Sequence, residues 1–435
     1  MKKVFAFLNI FTFLVSVSTA QVKDTVSMGP GYSNMVWYDI ENDVETKLPA
    51  TTWDISIGMR AFDAAIGVNA NNSTITYYQP VNTIANWASV VAADTSKLLK
   101  PIYNNDSSFT VGAFNSTSLD GNVFDYGWGN YGQATRNVKG DSVYILKTIK
   151  GDWKKIAFIS LNYDTMYTIK YANLDGTNEK NLDIKKKDYP KKNFIYLSIS
   201  DDKILNPEPD NDKWDLLFTK YHGLALDPTG KYQNYTLTGV LQNTVVVNER
   251  GVNRSIGATV AEIYGKDLTK ETFDTTKLRP EINVIGTDWK LFNQQTNQWT
   301  VSDTTTFFIK NRNRKTIKVN FSGFGGATTG NFIFNKKTLF RTSTKDVYSG
   351  AESLSIYPNP SNGNDLTVVY DLGKNTQKAD FQLVTLTGQT IYSQKVQNTE
   401  GVQQFTLPQL NLASGMYFAV MQWNGKSAIQ KVIIK

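Results

Sequence analysis

The chain has 435 residues, 40% hydrophobic and 20% charged, a balance that excludes a mainly disordered protein and at this length calls for two or three cores. It has no cysteine, which excludes disulfides, thiolate metal sites, cysteine nucleophiles and lipid attachment at a cysteine. The formal charge of +7 is spread along the chain instead of gathered in basic stripes, and this argues against nucleic acid as a partner.

Residues 1–20 read as a secretory signal peptide: Lys2 and Lys3, the apolar run VFAFLNIFTFLVSV, then Ser18 and Ala20 at cleavage-site spacing ahead of Gln21. No later stretch stays apolar for the ~18 residues that a spanning helix needs, so no transmembrane segment is expected. From Gln21 onward Tyr and Phe are abundant, and short runs end at Gly, Asn or Pro. The expected fold class is all-β, mainly antiparallel.

Laid against itself, the chain shows a duplication. YDIENDVETKLPATTWDISI from Tyr38 corresponds to YLSISDDKILNPEPDNDKWDLLF from Tyr196, each with an aromatic strand, an acidic turn, a proline-containing loop and a Trp-Asp pair, Trp53-Asp54 and Trp214-Asp215. DSVYILKTIKGDWKKIAFISL from Asp141 corresponds to DTTTFFIKNRNRKTIKVNFSG from Asp303, two strands around a basic turn. The kept order predicts two related β-rich halves over 21–188 and 189–345. The Trp-Asp pairs read as packing devices, the ring filling volume while the carboxylate caps a turn. KKKDYPKK, Lys185 to Lys192, reads as a solvated linker between the halves.

After a linker over 346–356, residues 357–435 form short strands with turn signals, the pattern of a small immunoglobulin-like β-sandwich. The stretches YPNPSNG from Tyr357, VTLTGQTIYS from Val384, LASGMYFAVM from Leu412 and the terminal KVIIK resemble the type A C-terminal sorting domain of the type IX secretion system of Bacteroidota. The resemblance places Pro358, Asn359, Pro360, Gly388, Gly415, Tyr417 and Lys435 in the sorting signature. It implies the type IX secretion machinery as a partner, and a secreted protein that is extracellular or held on the outer-membrane surface.

The second half, with KWDLLFTKYH and TLTGVLQNTVVV, resembles the HmuY-like family of extracellular β-rich proteins, and the first half is similar to a diverged copy. The named family member holds haem iron between two histidines, whereas this chain has one, His222, so a bis-histidine site within the chain is excluded. Haem as cofactor would rest on His222 or Tyr221 with Met59 or Met166; otherwise the histidine is a turn or surface residue and the methionines fill core.

Other chemistry is thinner. GGATTGNF from Gly325 has phosphate-loop glycine spacing, but Asn331 and Phe332 stand where the lysine and hydroxyl belong, so it reads as a hairpin connection. Glu208, Asp210, Asp212 and Asp215 lack the calcium-loop register and read as a solvated acidic turn. In FDYGWGNYGQ, Phe124 to Gln133, glycines separate Tyr126, Trp128 and Tyr131; that pattern suits stacking on a sugar or porphyrin, contact with a protein partner, or close packing of the loop. No nucleophile–base motif is visible, so the protein is read as non-enzymatic. The expected function is ligand binding at the cell surface or in the medium, haem-like nutrient capture included. The alternatives are an adhesin or structural protein binding glycans or host proteins, and after that a secreted hydrolase.

Overall fold

A computed structural model describes residues 21–71, 80–97, 101–119, 122–227, 229–249, 252–265, 273–339, 352–363, 366–372, 378–385, 389–397, 402–423 and 426–435. The signal peptide expected over 1–20 lies outside the described residues. The chain divides into two compact units, 1–340 and 341–435. Nearly all pairing between strands is antiparallel, so the expected all-β fold class holds.

The first unit is four layers of sheet. One outer sheet is built mainly on the strands Ser142–Lys147, Trp153–Asn162, Met166–Asn173 and Lys180–Lys185. It packs on an inner sheet ordered Lys203–Leu205, Phe194–Ser198, Ile55–Gly58, Ile66–Val68. Alternate residues meet in the core between them, Ile55 and Ile57, Ile195 and Leu197 from the inner sheet against Tyr144, Leu146, Ile156 and Phe158 from the outer one. Successive residues still turn to opposite faces, but both faces of the inner strands are covered, so Phe194–Ser198 is buried almost throughout.

The second inner sheet is ordered Tyr232–Gln242, Leu216–Leu226, Asn34–Asp39, Val44–Pro49. It packs on an outer sheet ordered Val22–Ser27, Asn331–Leu339, Thr316–Phe324, Thr305–Lys310, Thr259–Tyr264. Val36, Tyr38, Leu216 and Phe218 face Phe307, Ile309, Phe332 and Phe334. The remaining faces of the two inner sheets supply a further buried cluster with Met35, Trp37, Tyr196 and Leu217, so the inner sheets lie back to back.

The duplication is visible in this architecture, but its two copies are not consecutive domains. Each copy contributes a hairpin and, after its Trp-Asp pair, a strand, and each hairpin pairs with the other copy's strand. Phe218 of the second copy lies opposite Val36 of the first, while Ile195 of the second lies opposite Ile57 of the first. The boundary expected at 188/189 therefore separates chain segments that share both inner sheets. Reciprocal exchange needs the whole chain to close either sheet, and no local sequence pattern reports which strand a hairpin will choose.

The second unit is a small sandwich. A three-stranded sheet, Glu352–Tyr357, Thr367–Leu372 and Gln403–Thr406, faces a four-stranded one, Thr390–Gln397, Lys378–Thr385, Gly415–Trp423 and Lys426–Ile434. Its core joins Leu354, Ile356 and Val368 to Phe381, Leu383 and Met421. The expected linker over 346–356 ends inside this fold, because 352–356 already belong to the first strand.

Candidate functional site

The loop that carries Tyr126, Trp128 and Tyr131 divides its aromatic residues between two tasks. Trp128 is wholly buried in the first core, its indole N–H donating to the Ala64 carbonyl at 3.0 Å. Gly127, at φ 80°, passes so close to the backbone of Phe114 and Asn115 that a Cβ there would clash. Tyr126 and Tyr131 are only half buried, and both line a cleft of about 450 Å³ together with Phe62, Arg136, Tyr163 and Asp164.

Three loops bring those residues together, and each does so from a left-handed backbone position. Phe62 has φ 58°, Arg136 φ 55°, Tyr163 φ 48° and Asp164 φ 55°. Glycine or asparagine normally fills such positions, since a bulky side chain there costs on the order of 1 kcal/mol or more. Phe62 and Tyr163 are also 91% and 60% exposed, so burial gains do not explain them. Arg136 is exposed and makes no ion pair among the described residues.

The floor of the cleft is pinned. Lys186 is buried and donates to the carbonyls of Arg60 (2.9 Å) and Asp63 (2.7 Å), and it pairs with the Asp164 carboxylate. Burial pulls its amine below the usual lysine range, although Asp164 opposes this. The Tyr167 hydroxyl donates to the Asp63 carbonyl at 3.0 Å, Arg60 clamps the Asp63 carboxylate at 2.6 and 2.9 Å, and the Phe62 N–H donates to Asp164 at 2.5 Å. The stretch expected to be a solvated linker thus supplies a buried lysine that fixes the cleft, because its neighbours offer three acceptors that repay desolvation.

The four residues considered for iron are spread over different parts of the fold. Met59 belongs to the first core, Tyr221 to the cluster between the inner sheets, and His222, one residue along the strand, points to the opposite face. The Nδ1 of His222 accepts the Asn104 N–H at 3.2 Å and its ring meets Tyr103 edge-on. Burial lowers its pKa to about 4. Met166 pairs with Lys185 at the start of its strand.

The acidic turn is not solvated throughout. Glu208 is buried, accepts the Asn193 and Phe194 N–H groups at 2.9 and 3.0 Å, and is pushed up to about 7 by burial. Asp215 is buried beside Arg312, and Asp212 is exposed. The glycine-spaced stretch does connect a hairpin, through the single helical turn Gly326–Thr329 between Thr316–Phe324 and Asn331–Leu339.

In the second unit, Asn359 stands between two prolines that have no N–H to donate. Its side-chain amide takes their place along the last strand, donating to the Lys431 carbonyl at 2.6 Å and accepting the Ile433 N–H at 2.9 Å. The Lys435 N–H then donates to Ser361. Gly415 opens its strand, and Tyr417 donates to the Ala413 carbonyl at 2.9 Å. Gly388 lies outside the described residues.

Phe62, Arg136, Tyr163 and Lys186 were not singled out by sequence reasoning. A signal did exist in NYDT, residues 162–165, a tight turn between two strands that carries Tyr-Asp where Asn-Gly is the common pair.

Residues 355–435 match the family described as the secretion system C-terminal sorting domain. No curated protein matches the chain. Among solved structures, dimeric latent PorU from Porphyromonas gingivalis shares 12% identity at a TM-score of 0.17, the match covering 69% of this chain and 31% of PorU. The truncated trimeric ectodomain of the C. elegans fusion protein EFF-1 shares 10% identity at 0.15, covering 95% and 94%. The BSP domain of a biofilm-associated protein shares 9% at 0.16, covering 100% and 84%. At such TM-scores these likenesses define neither fold nor activity. The sorting tail does define destination: the protein engages the type IX secretion machinery and is delivered to the cell surface or the extracellular space. Among the described residues no helix is long and apolar enough to cross a membrane.

Proposed function

We propose that the first unit is a secreted, non-catalytic binding protein whose cleft at Tyr126, Tyr131 and Tyr163 takes a carbohydrate. The observation that carries this reading is that Phe62, Arg136 and Tyr163 occupy left-handed positions on three separate loops and line one cleft. Strain of this kind persists where the surrounding structure over-determines it, and the pinned floor does so here. Aromatic rings offer faces to the C–H surface of a sugar ring, and a guanidinium without an ionic partner offers fixed donors to hydroxyls. A rigid, preformed cleft limits the ordering cost of binding. The cleft falls in the range usual for small-ligand sites. The HmuY-like resemblance of the second half is in keeping with an extracellular binder, and the dispersed His222, Tyr221 and Met59 favour a glycan over haem.

The test is calorimetric titration of residues 21–435 with glucose, galactose, N-acetylglucosamine and their β-linked oligomers. Saturable binding is expected for at least one, weakened about tenfold or more by Tyr131→Ala or Tyr163→Ala and unchanged by Tyr232→Ala outside the cleft. Phe62→Gly is expected to raise stability by about 0.5–1 kcal/mol by relieving the backbone, while lowering affinity. Absence of binding across the panel, or equal binding by the tyrosine variants, would overturn the reading.

A further inference from the structure

Between the back-to-back inner sheets lies a narrow slot, a cavity of about 100 Å³, lined by residues in equivalent places of the two copies, Trp53 with Trp214 and, one residue off the correspondence read from sequence, Trp37 with Tyr196. Trp37, Trp53 and Trp214 are all buried, and none of their indole N–H groups has an acceptor. Buried indoles usually find a partner, as Trp128 does. Three orphaned donors around one cavity are a concentration that packing alone does not require. Phe109, from the irregular segment after Ile102, stands at the edge of the slot and meets Phe194 at 5.9 Å and Trp214 at 6.5 Å.

We propose that this slot is a second binding site, distinct from the cleft, for a small planar ring molecule that is neutral and carries carbonyl-type acceptors. The aromatic walls select a flat ring, and the orphaned N–H groups select acceptors. Glu208 also lines the slot, and a carboxyl in the wall disfavours an anion. At about 100 Å³ the slot is smaller than the dry cavity of about 150 Å³ that holds benzene, so one ring is the upper limit and enters only as the wall at Phe109 moves outward. Phe109 is the wall residue that moves to admit it, since its side chain stands on a loop whereas the other aromatic walls named here stand on or beside the paired inner strands.

The experiment is fluorescence and calorimetric titration of residues 21–435 with benzamide, beside acceptor-free toluene. Benzamide is expected to saturate one site and quench tryptophan emission, with toluene about fivefold weaker, the effect of one neutral hydrogen bond. Trp214→Phe, which keeps a ring and removes the N–H, is expected to weaken benzamide about fivefold and leave toluene unchanged. Phe109→Ala, a change in the loop, is expected to speed association and keeps the test open should Trp214→Phe fold poorly. No saturable benzamide binding by parent and Phe109→Ala overturns the proposal. So does equal affinity for toluene and benzamide, or loss of benzamide binding in the cleft variant Tyr131→Ala.

Discussion

Asp54 and Asp215 follow tryptophans in the two copies, and each reaches the other copy's hairpin. The Asp54 N–H donates to the Leu197 carbonyl and the Asp215 N–H to the Tyr38 carbonyl, both at 2.9 Å. Each carboxylate then accepts a backbone N–H two residues further along that hairpin, from Ile199 at 2.7 Å and from Ile40 at 3.3 Å. Each also holds a turn of the facing outer sheet, through the N–H of Ile149 (2.6 Å) or Arg312 (3.4 Å). The corners part company over charge. Asp54 has backbone donors alone, whereas the Arg312 guanidinium lies 2.8 Å from Asp215 and 2.6 Å from Asp39. One motif in one place is thus stabilised by short dipoles in one copy and by a buried ion triad in the other. The shorter contacts at Asp54 go with the absence of a cation, since without one the N–H groups carry all the compensation.

Removing the cation separates the two corners most. Arg312→Ala leaves Asp39 and Asp215 buried together without compensation and is expected to cost about 3–5 kcal/mol in urea unfolding. The residue next to the equivalent turn position, Lys150, pairs with Asp201 on the surface, so Lys150→Ala is expected to cost under about 1 kcal/mol. Equal losses would show that Arg312 acts through packing alone. Asp54→Asn comes next. It turns an NH2 toward N–H donors and is expected to cost about 1–3 kcal/mol, with no rescue by salt.

The buried carboxyls also make stability depend on pH. Burial raises Asp215 to about 6 and Glu208 to about 7, above their unfolded values. Folded carboxyls then keep protons that the unfolded chain releases, so their contribution is present below about pH 4 and is lost as pH rises toward 7. His222 works the other way, its contribution being lost as pH falls from about 6.5 toward 4. Because that term is common to parent and variant, their difference isolates Glu208. The slope removed by Glu208→Gln between about pH 4.5 and 7 is expected to reach at most about 1.4 kcal/mol per pH unit, measured as unfolding free energy against pH. A variant profile parallel to the parent's would remove Glu208 from the account.

The strand periodicity, the duplication, the terminal sandwich and its Pro-Asn-Pro junction were legible because each is a local pattern. Trp53-Asp54 and Trp214-Asp215 could be aligned by eye, and their structural role follows from residue type. The split of Tyr126, Trp128 and Tyr131 between cleft and core was not legible, since alternate burial in a glycine-rich loop depends on what packs beneath it. Nor was the fate of Lys186, which looked like one more surface charge until three oxygens from distant turns met it.

By itself the sequence determined an all-β chain without cross-links, built on a doubled motif and tagged at its C-terminal end for export, because composition, period and linear signature need no partner to be read. Tertiary structure decided that the two copies exchange hairpins, that Phe62, Arg136 and Tyr163 share one cleft, and that three tryptophans face one slot. The physical reason is the same in each case: these juxtapositions are set by contacts between residues tens to hundreds of positions apart, and hydrogen-bond complementarity across such separations has no period in the chain.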